Sequence, residues 1–405
     1  MTNLPQGWEV KKLGEIGEIV TGSTPSKSNL DFYGKDYPFF KPSDFEQGYF
    51  LENAGDNLSK LGFDKARQLP PKTILVVCIG SLGKVALTRV IGSCNQQINA
   101  IIPHKNIIAE YIYYYCISSK FQSILFSKAP QTTLAILNKT EFSKLEIIYP
   151  KDIKEQERIV GILDESFAKI DESIKILEQN LLNLDELMQS ALQKAFNPLK
   201  DNAKENYKLP QGWEWKSLGE IGEIITGTTP SKNNPNFYGN EYPLFKPSDL
   251  NGDMIIKYAS DNLSKLGFDN ARNLPKDTIL VVCIGASIGK VGLSGVNGSC
   301  NQQINAIIPN SAFTSKYLFF VCLSNYFQEI LKNNASQTTL PIINKTEFSK
   351  LQIPLPPIKE QEQITSHLDE LSSHVKNLKQ NYQAQIKDLQ ELKNSLLDKA
   401  FKGNL

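Results

Sequence analysis

No stretch of 18 apolar residues occurs in the 405-residue chain, so no segment is expected to cross a membrane as a helix. The opening residues Met1 to Trp8 show no charged-then-apolar signal pattern, which leaves a cytoplasmic location as the expectation. Six cysteines without C-x-x-C spacing (Cys78, Cys94, Cys116, Cys283, Cys300, Cys322) fit reduced, buried thiols better than a zinc site. Gly83-Lys84 and Gly289-Lys290 follow apolar runs and invite a phosphate-loop reading. Cys78 and Ile284 stand where that motif needs its first glycine, and Val85 and Val291 where it needs Ser or Thr, so the reading fails. No G-x-G-x-x-G follows a strand-like run, so a dinucleotide or S-adenosylmethionine fingerprint is absent. Histidine is scarce, at three, and His104, His367 and His374 form no cluster with acids or cysteines that suggests catalysis or metal binding. The sequence reads as non-catalytic, with no metal or cofactor of its own.

What the chain does contain is written twice. Leu4-Pro5-Gln6-Gly7-Trp8-Glu9 returns as Leu209-Pro210-Gln211-Gly212-Trp213-Glu214, and the nonapeptide Asp56 to Asp64 returns unchanged at Asp261 to Asp269. Ser93 to Pro103 recurs at Ser299 to Pro309, and Asn138 to Leu145 at Asn344 to Leu351. Copies of about 200 residues are domain-sized rather than solenoid repeats. Each copy divides by composition. Residues 1–150 and 207–356 hold short apolar runs bounded by Gly and Pro, such as Ile74 to Ile79, which read as buried strands. Residues 151–196 and 357–405 read as long helices, with 197–206 as a linker.

The helical stretches carry apolar residues in steps of three and four. In the first these are Leu163, Phe167, Ile170, Ile174, Leu177, Leu181 and Leu184, continued by Met188, Ala191 and Ala195. In the second they are Leu368, Leu371, Val375, Leu378, Tyr382, Leu389, Leu392 and Leu396, with Gln385 as a polar interruption. Such a sustained rhythm is that of a coiled-coil seam. The fold class expected is therefore α+β, with two pseudo-twofold-related globular α/β domains separated by two long helices paired as an antiparallel coiled coil. Two near-copies favour twofold packing, and a twofold protein suits inverted half-sites on duplex DNA. The spacer between half-sites would then follow rod length, and Ala400-Phe401-Lys402 would return near the N-terminus.

The net charge of +1 does not advertise a polyanion partner, but its parts differ. Residues 1–150 carry net +3 and 207–356 net +2, while 151–196 carry net −4, so DNA would sit better on the globular parts. There the residues suited to DNA contact lie in polar loops. The first copy offers Thr24, Ser26, Lys27, Lys41, Ser43, Lys84, Asn95, Gln96, Gln97, Gln131, Thr132 and Thr133. The second offers Thr229, Ser231, Lys232, Lys246, Ser248, Lys290, Asn301, Gln302, Gln303, Gln337, Thr338 and Thr339. Side-chain amides can grip adenine N6 and N7 together, and lysines can neutralise phosphates. Pro and Asp in the same loops are equally suited to shaping turns. Asn138 and Asn344, with Glu141 and Glu347 three residues on, read as helix caps.

Three features together resemble the specificity subunit of type I restriction-modification systems. These are the entry segment Leu209 to Lys232, the junction Pro354-Leu355-Pro356-Pro357-Ile358-Lys359-Glu360-Gln361-Glu362, and the long helix ending in Lys399-Ala400-Phe401. The first copy departs at its junction, where Tyr149-Pro150-Lys151-Asp152-Ile153 replaces the proline cluster although Glu155-Gln156-Glu157 remains. The resemblance implies two target-recognition domains that read a split DNA sequence. It also implies helical spacers that dock two DNA methyltransferase subunits carrying S-adenosylmethionine. A motor-nuclease subunit using ATP and magnesium would join for cleavage. The family's recognition domains usually differ within one chain, whereas here long blocks are identical. Differences gather at Phe45–Gly55 against Leu250–Ser260, Ala86–Gly92 against Gly292–Gly298, and His104–Tyr115 against Asn310–Val321. Both halves are therefore expected to read the same or nearly the same motif, as an inverted, interrupted palindrome. A coiled-coil scaffold with two protein-binding β-rich modules is the competing reading, and bipartite DNA binding separates the two.

Overall fold

The computed structural model describes residues 4–129, 135–196, 209–251, 253–310, 313–336 and 340–405, so the linker 197–206 lies outside the described residues. The chain forms two compact units, residues 1–177 with 383–405, and residues 178–382.

In the first unit a five-stranded sheet runs in the order Gly17–Thr21, Ile98–Pro103, Ile74–Val77, Val85–Thr88, Phe50–Leu51. Its strands are antiparallel except the last, which pairs parallel with Val85–Thr88. The run Ile74–Val77 is fully buried because both faces of the sheet are covered. Ile74 and Val76 face a core shared with the helix Ala109–Ile117 and with Ile159, Val160 and Leu163 of a long helix. Leu75 and Val77 face a second core with Phe40, Phe45 and Cys94. That side is closed by a three-stranded sheet, Asp56–Leu58, Tyr33–Phe40, Ser93–Cys94. A separate pair, Trp8–Lys12 with Glu146–Pro150, ties the start of the domain to its end. The second unit repeats this plan, with the sheet order Gly222–Thr226, Ile304–Pro309, Ile279–Val282, Val291–Ser294, Ile255–Ile256.

The long helices are Ile153–Phe196 and Ile358–Ala400. Among their described residues Gly161 is the single glycine and there is no proline, which removes both common helix breakers. Gly161 is exposed with open space where a Cβ would stand. Gly161→Ala is therefore expected to raise unfolding stability by about 0.5–1 kcal/mol, read as a higher midpoint in thermal denaturation.

Each unit holds a stretch of both helices, and within each the stretches run antiparallel. In the first, Lys393 pairs with Asp171 while Arg158 donates to the Leu405 carbonyl at 3.1 Å, one number rising as the other falls. The C-terminal residues Leu397, Ala400 and Phe401 join the first unit's core, where Gly403 lies against Pro5. In the second unit Lys379 pairs with Asp185, while Leu192, Phe196 and Leu368 share one core.

The seam departs from the expected one on the second helix. Leu163, Ile170, Leu184, Leu368 and Val375 are buried, and Phe167, Ile174, Leu177, Leu181, Leu371, Tyr382, Leu389 and Leu396 are half-buried. Leu378 and Leu392, expected on the seam, are instead 40% and 45% exposed. Their places are taken by Lys379 and Lys393, and Ile386 rather than a position at Gln385 continues the line. A lysine stem covers apolar surface while its ammonium reaches a charge at the edge. Lys393 does this over the Phe167 ring, 4.8 Å from its centroid, with Asp171 at its tip.

The junction glutamines anchor these helices to the sheets. Gln156 is buried; its Oε1 accepts from Ile108 N at 2.9 Å and its Nε2 donates to the Pro150 carbonyl at 2.9 Å. Gln361 repeats the arrangement with Thr314 N at 3.3 Å and the Pro356 carbonyl at 2.9 Å.

Candidate nucleic-acid interface

Strand register brings most of the sequence-selected loops to one end of each five-stranded sheet. In the first unit Thr21 lies opposite Asn99, Val77 opposite Ile98, and Val76 opposite Val85. The loops that leave Thr21 and Val77, and those that enter Val85 and Ile98, must therefore share that end. The strand Tyr33–Phe40 finishes there as well, since Phe40 pairs with Cys94 and its carbonyl accepts from Asn95 N at 3.1 Å. The loops cross closely. Gly22 N donates to the Ile98 carbonyl and Ser23 N to the Cys94 carbonyl, at 3.0 and 2.9 Å. A Cβ on Gly22 would lie 2.1 Å from the Asn95 carbonyl oxygen, so glycine is required by the crossing itself. Gly227 faces Asn301 and Cys300 in the same way at 2.2 Å.

Within this end the candidates divide into those held inward and those left facing solvent. Asn95 is buried and spends its amide on Gln97, Nδ2 to Oε1 at 2.8 Å, while its Oδ1 accepts from Gln97 N at 3.1 Å. Gln97 Nε2 turns to the Ile79 carbonyl at 3.3 Å. Asn301 and Gln303 repeat these bonds. Gln96 and Gln302, between them, are exposed, and their Oε1 atoms accept from Thr24 and Thr229 hydroxyls at 2.5 and 2.9 Å. Of each amide triplet, one side chain faces outward and two build the turn.

The cations divide similarly. Lys41 pairs with Asp56, Lys246 with Asp261, and Lys84 with Glu46 at 3.3 Å, while Lys290 donates to the Pro247 carbonyl at 3.3 Å. The Lys246 ammonium bonded to Asp261 holds that carboxyl below the usual carboxylate range. Lys27 and Lys232 are exposed, as are Ser43 and Ser248. Ser26 bonds Ser28 at 2.7 Å, and Ser231 accepts weakly from Asn233 N at 3.4 Å. Asp44, buried, closes its loop by accepting from Lys41 N at 2.7 Å and Gly55 N at 3.0 Å, which is turn-shaping work. Gln131, Thr132, Thr133, Gln337, Thr338 and Thr339 lie outside the described residues. The segment after them reaches the same sheet end, where Gly80 N donates to the Ala135 carbonyl at 3.2 Å and Ile79 bridges Ile136. Asn138 and Asn344 cap their helices, each accepting from the glutamate N three residues on at 2.9 Å.

Sequence reasoning overlooked Arg67 and Arg272. Each sits just past a short helix, Lys60–Lys65 or Lys265–Asn270, and reaches back to the loop end, with Nη1 donating to the Thr21 or Thr226 carbonyl at 2.6 Å. The cysteines play no part in this surface. All six are buried and free, and burial pushes the Cys94 and Cys300 thiols up to about 12, so they stay protonated and inert at neutral pH.

The fold as a whole matches solved specificity subunits. A chain from a type I restriction-modification assembly superposes with a TM-score of 0.82 over the whole of both chains at 21% identity. The HsdS subunit of Thermoanaerobacter tengcongensis gives 0.59 at the same identity, covering 100% of this chain and 98% of that one. In sequence, the type I restriction modification DNA specificity domain matches residues 5–182 and again 210–388, and the chain belongs to that family. It is 25% identical to the MjaIX specificity subunit of Methanocaldococcus jannaschii over 99% of this chain and 94% of the relative. Identity to the HindI specificity subunit of Haemophilus influenzae reaches 37%, over 46% of this chain and 42% of the relative. The chain is thus a type I specificity subunit with two target-recognition domains, the non-catalytic, DNA-recognising member of a restriction-modification complex.

Proposed function

We propose that this subunit reads an interrupted DNA sequence whose halves are the same, or nearly the same, short motif in opposite orientation. The observation that carries this is where the two copies agree. Thr24, Lys27, Lys41, Gln96 and their counterparts Thr229, Lys232, Lys246 and Gln302 recur at the loop end, two of them with matching hydrogen bonds. Most of the divergent positions lie elsewhere. The strand Phe50–Leu51 pairs with Leu87 and Thr88, at the far end of the sheet, and the segment from His104 begins beyond Pro103, which pairs with Gly17 at that same far end. Variation far from the reading loops alters packing rather than base contacts.

The subunit would work with two DNA methyltransferase subunits that supply S-adenosylmethionine and methylate adenine. A motor-nuclease subunit with ATP and magnesium would join for cleavage, in the cytoplasm. The residues described above account for recognition alone. Methylation-aware sequencing of host DNA with and without this chain tests the reading. The expected result is one chain-dependent interrupted palindrome, methylated on both strands. Two unrelated half-sites would sink the identical-halves reading, and no chain-dependent motif would sink DNA recognition altogether.

A further inference from the structure

One arginine in each unit is fixed in place at the loop end. Arg67 N donates to Ser23 Oγ at 3.2 Å, its carbonyl accepts from Ser93 Oγ at 2.9 Å, and its Nη1 donates to the Thr21 carbonyl at 2.6 Å. Arg272 repeats all three bonds, with Thr228 Oγ1 at 3.2 Å, Ser299 Oγ at 2.8 Å and the Thr226 carbonyl at 2.6 Å. The acceptor strand is itself locked, since Thr21 Oγ1 donates to Asn99 Oδ1 at 2.7 Å. Both arginines are exposed. Lys41, Lys84 and Lys246, at the same end, are paired with Asp56, Glu46 and Asp261, whereas among the described residues neither arginine pairs with a carboxylate.

A guanidinium carries five N–H donors in one plane. One short bond to a backbone carbonyl sets the orientation of that plane and leaves the other donors to reach outward. The loop that holds Arg67 through Ser23 also carries Thr24, whose hydroxyl bonds the exposed Gln96 amide. A planar cation and a side-chain amide are thus both bonded to the segment from Thr21 to Thr24. Guanine offers O6 and N7 as a paired acceptor for which arginine is the matching donor, while an amide suits adenine. A lysine ammonium can reach the same guanine acceptors or a phosphate, but as a point charge without the planar fork.

We propose that Arg67 and Arg272 each read a guanine through the major groove, one per half-site, next to Gln96 and Gln302. This rests on the DNA-recognition reading above and names the base contact within it. The test uses the subunit assembled with its methyltransferase partners and a duplex bearing the wild-type motif. Each guanine of the motif is replaced in turn by 7-deazaguanine, which lacks the N7 acceptor. The wild-type complex is expected to lose about 10-fold in methylation kcat/KM at one guanine per half-site. Arg67→Ala is expected to be slower on the normal duplex and indifferent to that replacement in one half, with Arg272→Ala indifferent in the other. Because the readout is the response to the base analogue, a general loss of folding does not mimic it. An Arg67→Ala complex that keeps the wild-type rate and sensitivity would show that Arg67 does not read that guanine and overturn the proposal. So would variants as sensitive as wild type at every guanine. A wild-type complex with no bipartite motif would instead sink the DNA reading beneath it.

Discussion

Cutting Phe401 back to alanine is expected to lower the stability of the first unit by about 3–5 kcal/mol. The ring is 5% exposed and stands edge-on to Tyr111 and Tyr115, with centroids 5.5 and 5.1 Å away. Its removal leaves a hole among large, fully buried side chains that cannot collapse inward, so the transfer and cavity costs add. Phe196, fully buried and edge-on to Tyr317 at 5.5 Å, plays the same part in the second unit. Hydrogen exchange on the full chain separates the two effects. Phe401→Ala should strip protection from the helix Ala109–Ile117, and Phe196→Ala from Ser315–Leu323. A loss below about 1 kcal/mol in either variant would show that these rings are not the fasteners their packing makes them.

The second large effect concerns the loop crossing. Gly22→Ala would place a methyl group 2.1 Å from one backbone oxygen and 2.4 Å from another, the carbonyls of Asn95 and Cys94. Backbone at the root of a sheet cannot yield as a flexible side chain would, so the loop carrying Thr24 must lift away from the one carrying Gln96. Overpacking of this kind costs about 1–3 kcal/mol, occasionally more, and the displaced loops no longer present a common surface. The expected outcome is a fall of roughly 100-fold in affinity for the bipartite duplex, for Gly22→Ala and for Gly227→Ala alike. Gly161→Ala, remote from the loops, should leave affinity unchanged. Wild-type affinity in Gly22→Ala would mean that the two loops do not act as one surface.

Much of the architecture could be read directly. The duplication, the strand character of Ile74–Val77 and the helix caps at Asn138 and Asn344 are local signals that no distant contact overrides. The seam was legible on the first helix and misread at two positions of the second. Leucine periodicity alone cannot show that Lys379 and Lys393 find aspartates waiting and so take the inward register. The amide triplet is visible in the sequence as a polar turn, but which of its three side chains faces outward depends on the bonds from Asn95 and Gln97 to atoms around them. Arg67 carried no signal, because what distinguishes it is a carbonyl 46 residues away in sequence. Gln156 was visible as part of a familiar junction. Its work, satisfying Ile108 and Pro150, emerges only when the helix meets the sheet.

The first unit borrows Leu397, Ala400 and Phe401 from a segment that follows the whole second domain in the chain. During synthesis the amino-terminal domain therefore leaves the ribosome long before the residues that finish its interior exist. Until then a patch of tyrosine and leucine that should be dry is open to water. Any chain that stops before Leu397 leaves its first half unfinished, ready for proteases rather than for assembly.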